Sequence, residues 1–473
     1  MNKLLLDPTD VLFFRDGRPM EGSLSGHSVA WPLPDLTNHA LHAALHRAEL
    51  KNVHRHVPGR GSQERDYSDE NRLTHGRRFG SLKTAGPFPV FGTDGGEAWF
   101  FPRPADATDA RNSGPSLLPI NESDQIPHAS SSLPSPLKYA VGSTIAPSKD
   151  PLPSWWSDRA WVGYISGEAH QLEKGKDGRL DADIADREQQ YGIAIDAASG
   201  VAGQGETEGK IYSAHYLRLR PSYRLGLFAE AVDKGNIESG RRRDLVRELF
   251  KGSPSSIIVG GQQRVCTADL FESDGPLPLP SGISEGARFA SLANGRIAVK
   301  WTLLSPALFP EICANDEKGI PAHSGGWLPT WIDAGDGKVK LRDPKESARK
   351  QGERRDQWRK RVAALGEINA NLVAAVIPKP IPVTGWALSS PDDKAGQDGA
   401  KSTHLAVPAG AVYYFEAESP SAAESLALAL NWHGDTRSEG IMNRRSAMMG
   451  EKGYGLGVCS TWEFRSTLSM YEK

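Results

Sequence analysis

Residues 450–457 read GEKGYGLG, with four glycines in eight positions. Glycine takes positive φ angles without steric cost, so this stretch can turn sharply and bring its backbone close to a ligand. Exposed amides in such a loop can bind phosphate oxygens. Arg444, Arg445 and Lys452 supply cations, and the Tyr454 ring is suited to stacking on a base. The segment predicts either a phosphate-binding loop or a tight turn before an edge strand.

The elements around this segment exclude two nucleotide-binding motifs. A dinucleotide-binding GxGxxG motif follows a strand and opens a helix. Here a helix is predicted over residues 420–430 and a strand over residues 458–464, so the glycines follow a helix and open a strand. The chain also contains no GxxxxGK[ST] stretch.

Helices and strands alternate along the rest of the chain, which predicts the α+β class. Apolar residues at helical spacing predict helices at residues 35–50 and 241–251, and further helices are predicted at the charged residues 345–362 and at residues 420–430. Asp35 or Thr37 is the expected cap of the first helix, and Ser419 with Pro420 opens the last. Each half of the chain can supply one split β-α-β-β-α-β unit.

The length of 473 residues predicts two to three domains. A segment rich in Pro, Gly and Ser at residues 272–287 is the best linker, which gives domains over 1–271 and 288–473. Residues 104–137 are rich in Ser, Pro, Ala and Asp, and residues 171–210 are also loop-like. Both are interpreted as insertions.

Composition restricts the class of protein. The three cysteines, Cys266, Cys313 and Cys459, form no CxxC pair, which argues against a disulfide framework or a zinc–cysteine site and favours the cytoplasm. No run of about 18 apolar residues predicts a membrane helix, and Met1–Asp10 is too short and charged for a signal peptide. The net charge of −2 implies that any nucleic-acid site is a local concentration of cations.

The order of helix, glycine-rich loop and final strand resembles the repeat-associated mysterious protein (RAMP) superfamily of CRISPR systems. Further stretches resemble one branch of it, the third Cmr subunit of type III-B effector complexes, and they follow in the expected order. These stretches are residues 10–19, 31–34, 301–310, 325–329, 379–386 and 406–415.

The resemblance implies two tandem ferredoxin-like (RRM-like) domains with long insertions. It implies a non-catalytic RNA-binding subunit that holds the 5′ handle of the guide RNA in antiviral defence. The implied partners are the guide RNA, the large polymerase-like subunit and the backbone RAMP subunits. No cofactor or metal is implied in this chain.

The resemblance also implies a set of handle contacts. Guanidinium groups fit phosphates bidentately, and backbone amides at glycines would complete the cradle. Gln262 and Gln263 depart from the family, which often has charged residues after the paired glycines. The candidate contacts are Arg15, Arg18, Gly261, Arg264, Arg444, Arg445, Lys452, Gly453, Tyr454 and Gly455.

Two other functions stay open. Some RAMP relatives are metal-independent endoribonucleases that process CRISPR repeat RNA, and here His27 would be the general base, with Arg18 or Lys452 stabilising charge. Alternatively, Trp327, Trp331 and Trp386 could form a carbohydrate-binding surface on a β-rich protein.

Two charged or polar runs have simpler interpretations. His39, His42 and His46 share one helix face but lack an HExxH motif, so a polar exposed face is expected rather than a metal site. Residues 345–361 hold eight basic and three acidic residues. This run is expected to be a solvated helix face, with RNA or partner contact as the alternative.

We expect that the purified chain does not cleave labelled CRISPR repeat RNA, because no convergent His, Tyr and Lys set for acid–base catalysis is apparent. Denaturing electrophoresis of the RNA after incubation checks this. The endoribonuclease hypothesis predicts specific cleavage that the His27→Ala variant loses, and that result would contradict a pure binding role.

Overall fold

The computed structural model describes residues 1–14, 25–26, 29, 31–48, 50, 82–92, 96–121, 132–196, 198–202, 211–238, 241–251, 255–271, 276–387, 399–434 and 440–465. Its helices are α1 Pro34–Arg47, α2 Asp158–Ser166, α3 Asp181–Ile184, α4 Leu245–Leu249, α5 Pro344–Ser347, α6 Arg355–Ala364 and α7 Pro420–Leu430. Short 3-10 turns cover Gly286–Arg288, Asp316–Lys318 and Gly450–Lys452.

Strands alternate with these helices in both halves of the chain. Before residue 272 they are β1 Asn2–Pro8, β2 Ser25–Gly26, β3 Leu82–Phe91, β4 Ala98–Pro102, β5 Leu117–Pro119, β6 Val141–Ser143, β7 Trp155–Ser157, β8 Gly178–Arg179, β9 Ala185–Ile193, β10 Ile211–Leu219, β11 Tyr223–Glu238, β12 Arg241–Asp244, β13 Ser255–Ile258 and β14 Val265–Phe271. After it they are β15 Ile297–Leu303, β16 Ala370–Val376, β17 Ile381–Val383, β18 Trp386–Ala387, β19 Gly399–Ala400, β20 His404–Ala406, β21 Val412–Ala417 and β22 Gly457–Ser460.

Each half contains one main antiparallel sheet. In the first sheet, the described strands follow the order β13-β14-β1-β11-β3-β4-β7-β8, and β12 pairs with β11. In the second sheet the order is β22-β15-β21-β16. Strands β9 and β10 form a separate antiparallel ribbon with the short β2. The mixed helix and antiparallel-sheet content confirms the predicted α+β class.

The two main sheets repeat one order around their central strands. Four strands of each half form this order: β1, β3, β11 and β14 in the first half, and β15, β16, β21 and β22 in the second. In both sheets, the first of the four lies between the fourth and the third, and the second lies on the other side of the third. The helices differ between the halves. Helices α1 and α4 pack against the first sheet, whereas the second sheet contacts α7 and also α2 of the first half, and α6 contributes no buried residue. The strand ranges lie on either side of the predicted linker, and the domain limits 1–271 and 288–473 stay a prediction.

Contacts at the N-termini explain why helix α7 was predicted correctly and the cap of helix α1 was not. Ser419 accepts a bond from the amide of Ala422 at 3.2 Å, and α7 begins and ends as predicted. Helix α1 begins at Pro34 after Leu33, which gives no side-chain cap, so the predicted capping by Asp35 or Thr37 is wrong. The Thr37 hydroxyl instead donates to the carbonyl of Pro34 at 3.1 Å.

Three sequence interpretations are corrected. The helix predicted over 241–251 is a strand followed by the short α4, and Asp244 caps α4 by accepting from the amide of Val246. The helix predicted over 345–362 is divided into α5 and α6, with Gly352 at φ +73° between them. The long strands β3 and β11 were not predicted, because β3 contains a glycine and two prolines, which usually interrupt strands.

The second sheet is buried on both faces. All seven residues of β15 are buried, and alternate side chains of a strand point to opposite faces. Val299 and Trp301 face the core beside α7. Ala298 packs on the other face against Tyr139, which belongs to the segment that follows the first insertion. The amides of Lys138 and Tyr139 donate to the carbonyl of Val373, which anchors that segment on β16.

A buried ion pair fastens the first insertion to this sheet. Lys300 in β15 lies 3.1 Å from the Asp106 carboxylate, and both side chains are at most 1% exposed. The hydroxyls of Tyr164 and Tyr414 donate to the same carboxylate at 2.8 and 3.0 Å. Burial lowers the pKa of Lys300, and the Asp106 charge opposes that shift. The network joins segments that are 194 positions apart.

We expect Asp106→Ala to lower the free energy of unfolding by about 3–5 kcal/mol, because it leaves the buried Lys300 charge without its counter-ion. Chemical denaturation at pH 7 measures this change. The matched control Glu173→Ala breaks the solvent-exposed pair with Arg159 and should change stability little. Equal effects of the two substitutions would contradict the structural role of Asp106.

Candidate RNA interface

The glycine-rich segment adopts the sharply turned backbone that its sequence predicts. Residues Gly450–Lys452 form a 3-10 turn that leads through Gly453 and Gly455 into strand β22. Gly453 has φ +101° and Gly455 has φ +78°, a region that side chains other than glycine rarely adopt. At Gly455, an added Cβ would lie 2.0 Å from the amide nitrogen of Ser446.

The amides of this segment are used inside the protein. Lys452 and Tyr454 donate to the carbonyl of Met449, and Gly453 donates to Gly450. Further along, the amide of Gly455 donates to the Pro306 carbonyl at 2.7 Å, and that of Leu456 to the Ser305 hydroxyl at 2.9 Å. The expectation that these glycines present bare amides to phosphate is therefore wrong for residues 452–456.

The same segment is a joint between the two halves of the chain. The Tyr454 ring is fully buried, and its hydroxyl donates to Asp35 in α1 at 2.6 Å. Gly453 lies against β3, where an added Cβ would be 2.9 Å from the carbonyl oxygen of Thr84. The Thr84 hydroxyl donates to the Lys452 carbonyl at 3.1 Å. Tyr454 consequently has no free face on which a base could stack.

Lys452 also points into this joint. It is 2% exposed, and its ammonium group lies 3.0 Å from Nε2 of His39 on α1. An ammonium can only donate, so the imidazole accepts and must be neutral at this nitrogen. His39 keeps an exposed edge, yet desolvation by the surrounding protein, followed by the Lys452 charge, holds its pKa well below the usual value. His39 therefore contributes to the contact between the halves.

Arg445 stabilises the end of helix α7. Its Nε donates to the carbonyl of Ala429 at 2.6 Å, in the last turn of the helix, where carbonyls lack helical partners. Its own amide donates to Gly455 at 2.8 Å, and burial lowers its pKa to about 10. These contacts give Arg445 a structural role within the second half.

Arg444 is different, because part of its guanidinium group lacks a partner. Nη1 donates to the Ile441 carbonyl at 3.3 Å, but Nε and Nη2 are buried and make no hydrogen bond in the described structure. Burial lowers its pKa to about 10, against the opposing charges of Glu230 and Glu451. Buried donors without partners are costly, so this group is suited to receive an anion.

A second turn brings together the remaining described candidates. Gly260 has φ +80°, Gln262 +56° and Gln263 +54°, so the backbone reverses tightly between β13 and β14. The amide of Gly261 donates to the Phe13 carbonyl at 2.9 Å and is not free. The Arg264 side chain is 26% exposed and lies over the Tyr216 ring, 5.0 Å from its centroid.

This turn lies beside residues that follow strand β1. Arg264 is 3.5 Å from the Asp10 carboxylate, and a Cβ on Gly260 would lie 2.8 Å from the Phe14 ring. Arg15 and Arg18 lie outside the described residues, but Arg15 is covalently joined to Phe14. The structure brings Phe13 and Phe14, the last residues described before them, against Gly260 and Gly261, which come about 250 residues later in sequence.

Other candidate sites find little support. Trp331 packs edge-on to Trp301 and stacks on Phe415, and Trp327 packs against the same core, so neither offers an open sugar platform. The Trp386 side chain lies outside the described part of the chain. Among the described residues, no group of three His, Cys, Asp or Glu side chains is arranged to hold a metal ion, and none of the helices described is long and apolar enough to cross a bilayer.

Comparisons with known proteins identify the family. A family model described as "CRISPR-associated protein (Cas_Cmr3)" matches residues 4–462. No curated protein matches. A chain of a Type III-B Cmr-beta bound to cognate target RNA and AMPPnP is 12% identical, with a TM-score of 0.34 and coverage of 87% of this chain and 86% of that chain. A chain of the same kind of complex bound to cognate target RNA is 13% identical, with a TM-score of 0.34 and the same coverage. A chain of a Csm3-Csm4 subcomplex of the type III-A interference complex is 9% identical, with a TM-score of 0.28 and coverage of 87% and 92%.

We expect Tyr454→Phe to lower the free energy of unfolding by about 1–3 kcal/mol, because Asp35 loses a buried hydrogen-bond donor. Denaturation curves of the two proteins measure this loss. Tyr191→Phe is the control, since Tyr191 is 72% exposed, and it should leave stability unchanged. Unaltered stability of Tyr454→Phe would contradict the structural role of the buried hydrogen bond to Asp35.

Proposed function

The chain belongs to the Cas_Cmr3 family of CRISPR-associated proteins, and from this premise we propose that it holds the 5′ handle of the guide RNA in a type III-B effector complex. The family match is the observation that carries the proposal, because it runs through both main sheets rather than one motif. The proposed role is binding, without catalysis, in antiviral defence.

The proposed architecture is a pair of ferredoxin-like units. The repeated strand order, with the first strand between the last and the third, supports it in both halves. In the first half, α1 and α4 lie on the sheet as such a unit requires. In the second half α6 is displaced from the sheet, and α7 supplies the helix cover. The second unit is thus a reduced version of the first.

The proposed grip on the handle differs from an open glycine cradle. The Arg264 side chain is 26% exposed and lies over Tyr216, and Arg444 has two nitrogens without partners among the described residues. Guanidinium groups bind phosphate oxygens in a fork, so both are suited to a bent RNA backbone. Arg15 and Arg18, which lie outside the described residues, remain proposed contacts. Gly453, Tyr454, Lys452 and Arg445 then act by shaping the protein around this grip.

Docking on partner subunits has support in the ribbon of β9 and β10. Tyr191, Ile193 and Ile211 are 72%, 56% and 58% exposed. Ile193 pairs with Ile211 across the two strands, and Tyr191 is two positions from Ile193, so the three side chains share one face. A large exposed apolar patch is typical of a protein–protein contact. The proposed partners are the large polymerase-like subunit and the backbone RAMP subunits.

The described residues do not support the endoribonuclease alternative. His27, its proposed general base, lies outside them. Lys452, one of its proposed charge-stabilising groups, is buried and donates to His39. A catalytic cation must reach the scissile phosphate, and Lys452 does not reach the surface in this arrangement.

We expect Arg264→Gln to weaken binding of a guide RNA with its repeat-derived 5′ handle by about tenfold, because a charge-assisted hydrogen bond to phosphate is lost. Fluorescence anisotropy compares this RNA with one of equal length that lacks the handle. The wild-type chain should prefer the handle-bearing RNA, and the variant should lose most of that preference.

Arg296→Gln is the matched control, because Arg296 is also partly exposed and paired with one carboxylate, that of Glu418. It should bind both RNAs as the wild type does. Equal affinity of the wild-type chain for the two RNAs would contradict the proposed function. A shared 5′ tag in RNA that co-purifies with the assembled complex would be independent support.

A further inference from the structure

Residues 344–364 form a small helical hairpin, here called the basic hairpin, on the surface of the second half. It consists of α5, a turn at Gly352 and α6. None of the residues in either helix is buried. Such a segment contributes little to the apolar core, so its conformation depends on polar contacts within it.

The hairpin is closed by its own charged groups. Arg361 donates to both carboxylate oxygens of Glu353, at 2.8 and 3.0 Å, and to the Ala348 carbonyl at 2.7 Å. Arg349 donates twice to the Glu353 carbonyl. The Trp358 indole nitrogen donates to the Ser347 carbonyl at 2.8 Å, which joins α6 to α5. The hairpin is therefore an ordered projection and not a loose loop.

Two contacts fix the hairpin to the second sheet's helix. Lys345 lies 2.7 Å from the Glu424 carboxylate in α7, and the Ser425 hydroxyl donates to Asp343. Asp343 also caps α5 by accepting from the amide of Lys345 at 2.7 Å. The base of the hairpin thus has a defined position on the protein.

Ion pairs engage Glu353 and Asp356, two of the three acidic residues of the hairpin, and leave several cations exposed. Glu353 is held by Arg361, and Asp356 lies 3.4 Å from Arg354. Four further cations are exposed and have no ion-pair partner among the described residues. They are Lys350, Arg355, Arg359 and Lys360. Arg355 and Arg359 are one helical turn apart, so their side chains extend from the same face.

The surface chemistry favours a phosphate backbone over a protein partner. Centres of protein–protein interfaces are depleted in charge and contain aromatic or apolar anchors. No large hydrophobic side chain of the basic hairpin is among the exposed ones in the described structure, and the only aromatic residue, Trp358, is turned toward α5. Arginine forks spaced along a helix suit successive phosphates.

We propose that the basic hairpin binds the phosphodiester backbone of RNA without reading its sequence. This contact is separate from the proposed contact with the 5′ handle. It rests on the proposed function only because that function makes RNA the polyanion that the protein meets. On a chain with a net charge of −2, a positive projection of this kind provides a local region that attracts RNA.

The test is anisotropy of a labelled 20-nucleotide oligouridylate, which lacks a handle, with the full chain over a range of KCl concentrations. For Arg355→Gln/Arg359→Gln/Lys360→Gln we expect the salt slope to fall by about 2, because each single-strand phosphate contact contributes about 0.7. At 0.1 M salt this corresponds to binding weaker by about 10- to 100-fold.

Two control proteins separate a specific surface from general charge. Lys149→Gln/Lys174→Gln/Lys251→Gln removes the same number of exposed cations elsewhere and should bind as the wild type does. Arg355→Lys/Arg359→Lys/Lys360→Arg keeps the charge and should retain most of the affinity. Equal losses in the two glutamine triples, or no loss in the hairpin triple, would overturn the proposal.

Two further outcomes are decisive. If polyglutamate binds the wild-type chain as tightly as oligouridylate and also depends on the hairpin, the surface is a dock for acidic protein and the RNA assignment fails. If the hairpin dependence holds while the wild-type chain shows no preference for handle-bearing RNA, the hairpin proposal stands and the handle function fails.

Discussion

The charge of Lys300 constrains the rest of the structure. It lies in the middle of a buried strand, where an isolated ammonium would be strongly unfavourable, and Asp106 from the other half of the chain neutralises it. Tyr164 and Tyr414 complete the shell of hydrogen bonds. The second sheet of this Cas_Cmr3 chain can be buried on both faces only when the first half's insertion is in place, so the two halves form one packed body.

The glycine-rich segment also joins the two halves of the chain. Its positive φ angles bring Gly453 against Thr84 and place the Tyr454 hydroxyl on Asp35. Close backbone approach, the property that makes glycine useful for holding a phosphate, serves here to hold the other half of the chain. This shifts the proposed RNA grip from the glycine amides to side chains, above all Arg264 and Arg444.

Burial separates arginines that look alike in sequence. Arg445 closes the end of α7 and Arg361 closes the basic hairpin, so both act inside the fold. Arg264 and the exposed cations of the hairpin remain available to an anion. A chain of nearly neutral net charge can therefore present local groups of cations, because some arginines are used inside the fold while others stay exposed at a few surfaces.

The sequence by itself determined the α+β class, helix α7 with its Ser419 cap, the sharp turn at residues 450–457 and the family, because each depends on local spacing or on ordered motifs. Only the tertiary structure decided what the glycine amides bind, that the residue 104–137 insertion carries the counter-ion of Lys300, and which arginines stay exposed. Asp35 and Tyr454 are 419 positions apart, and Asp106 and Lys300 are 194 apart. Neither pair has a local signal, since a side chain's partner across such distances is set by how the sheets pack.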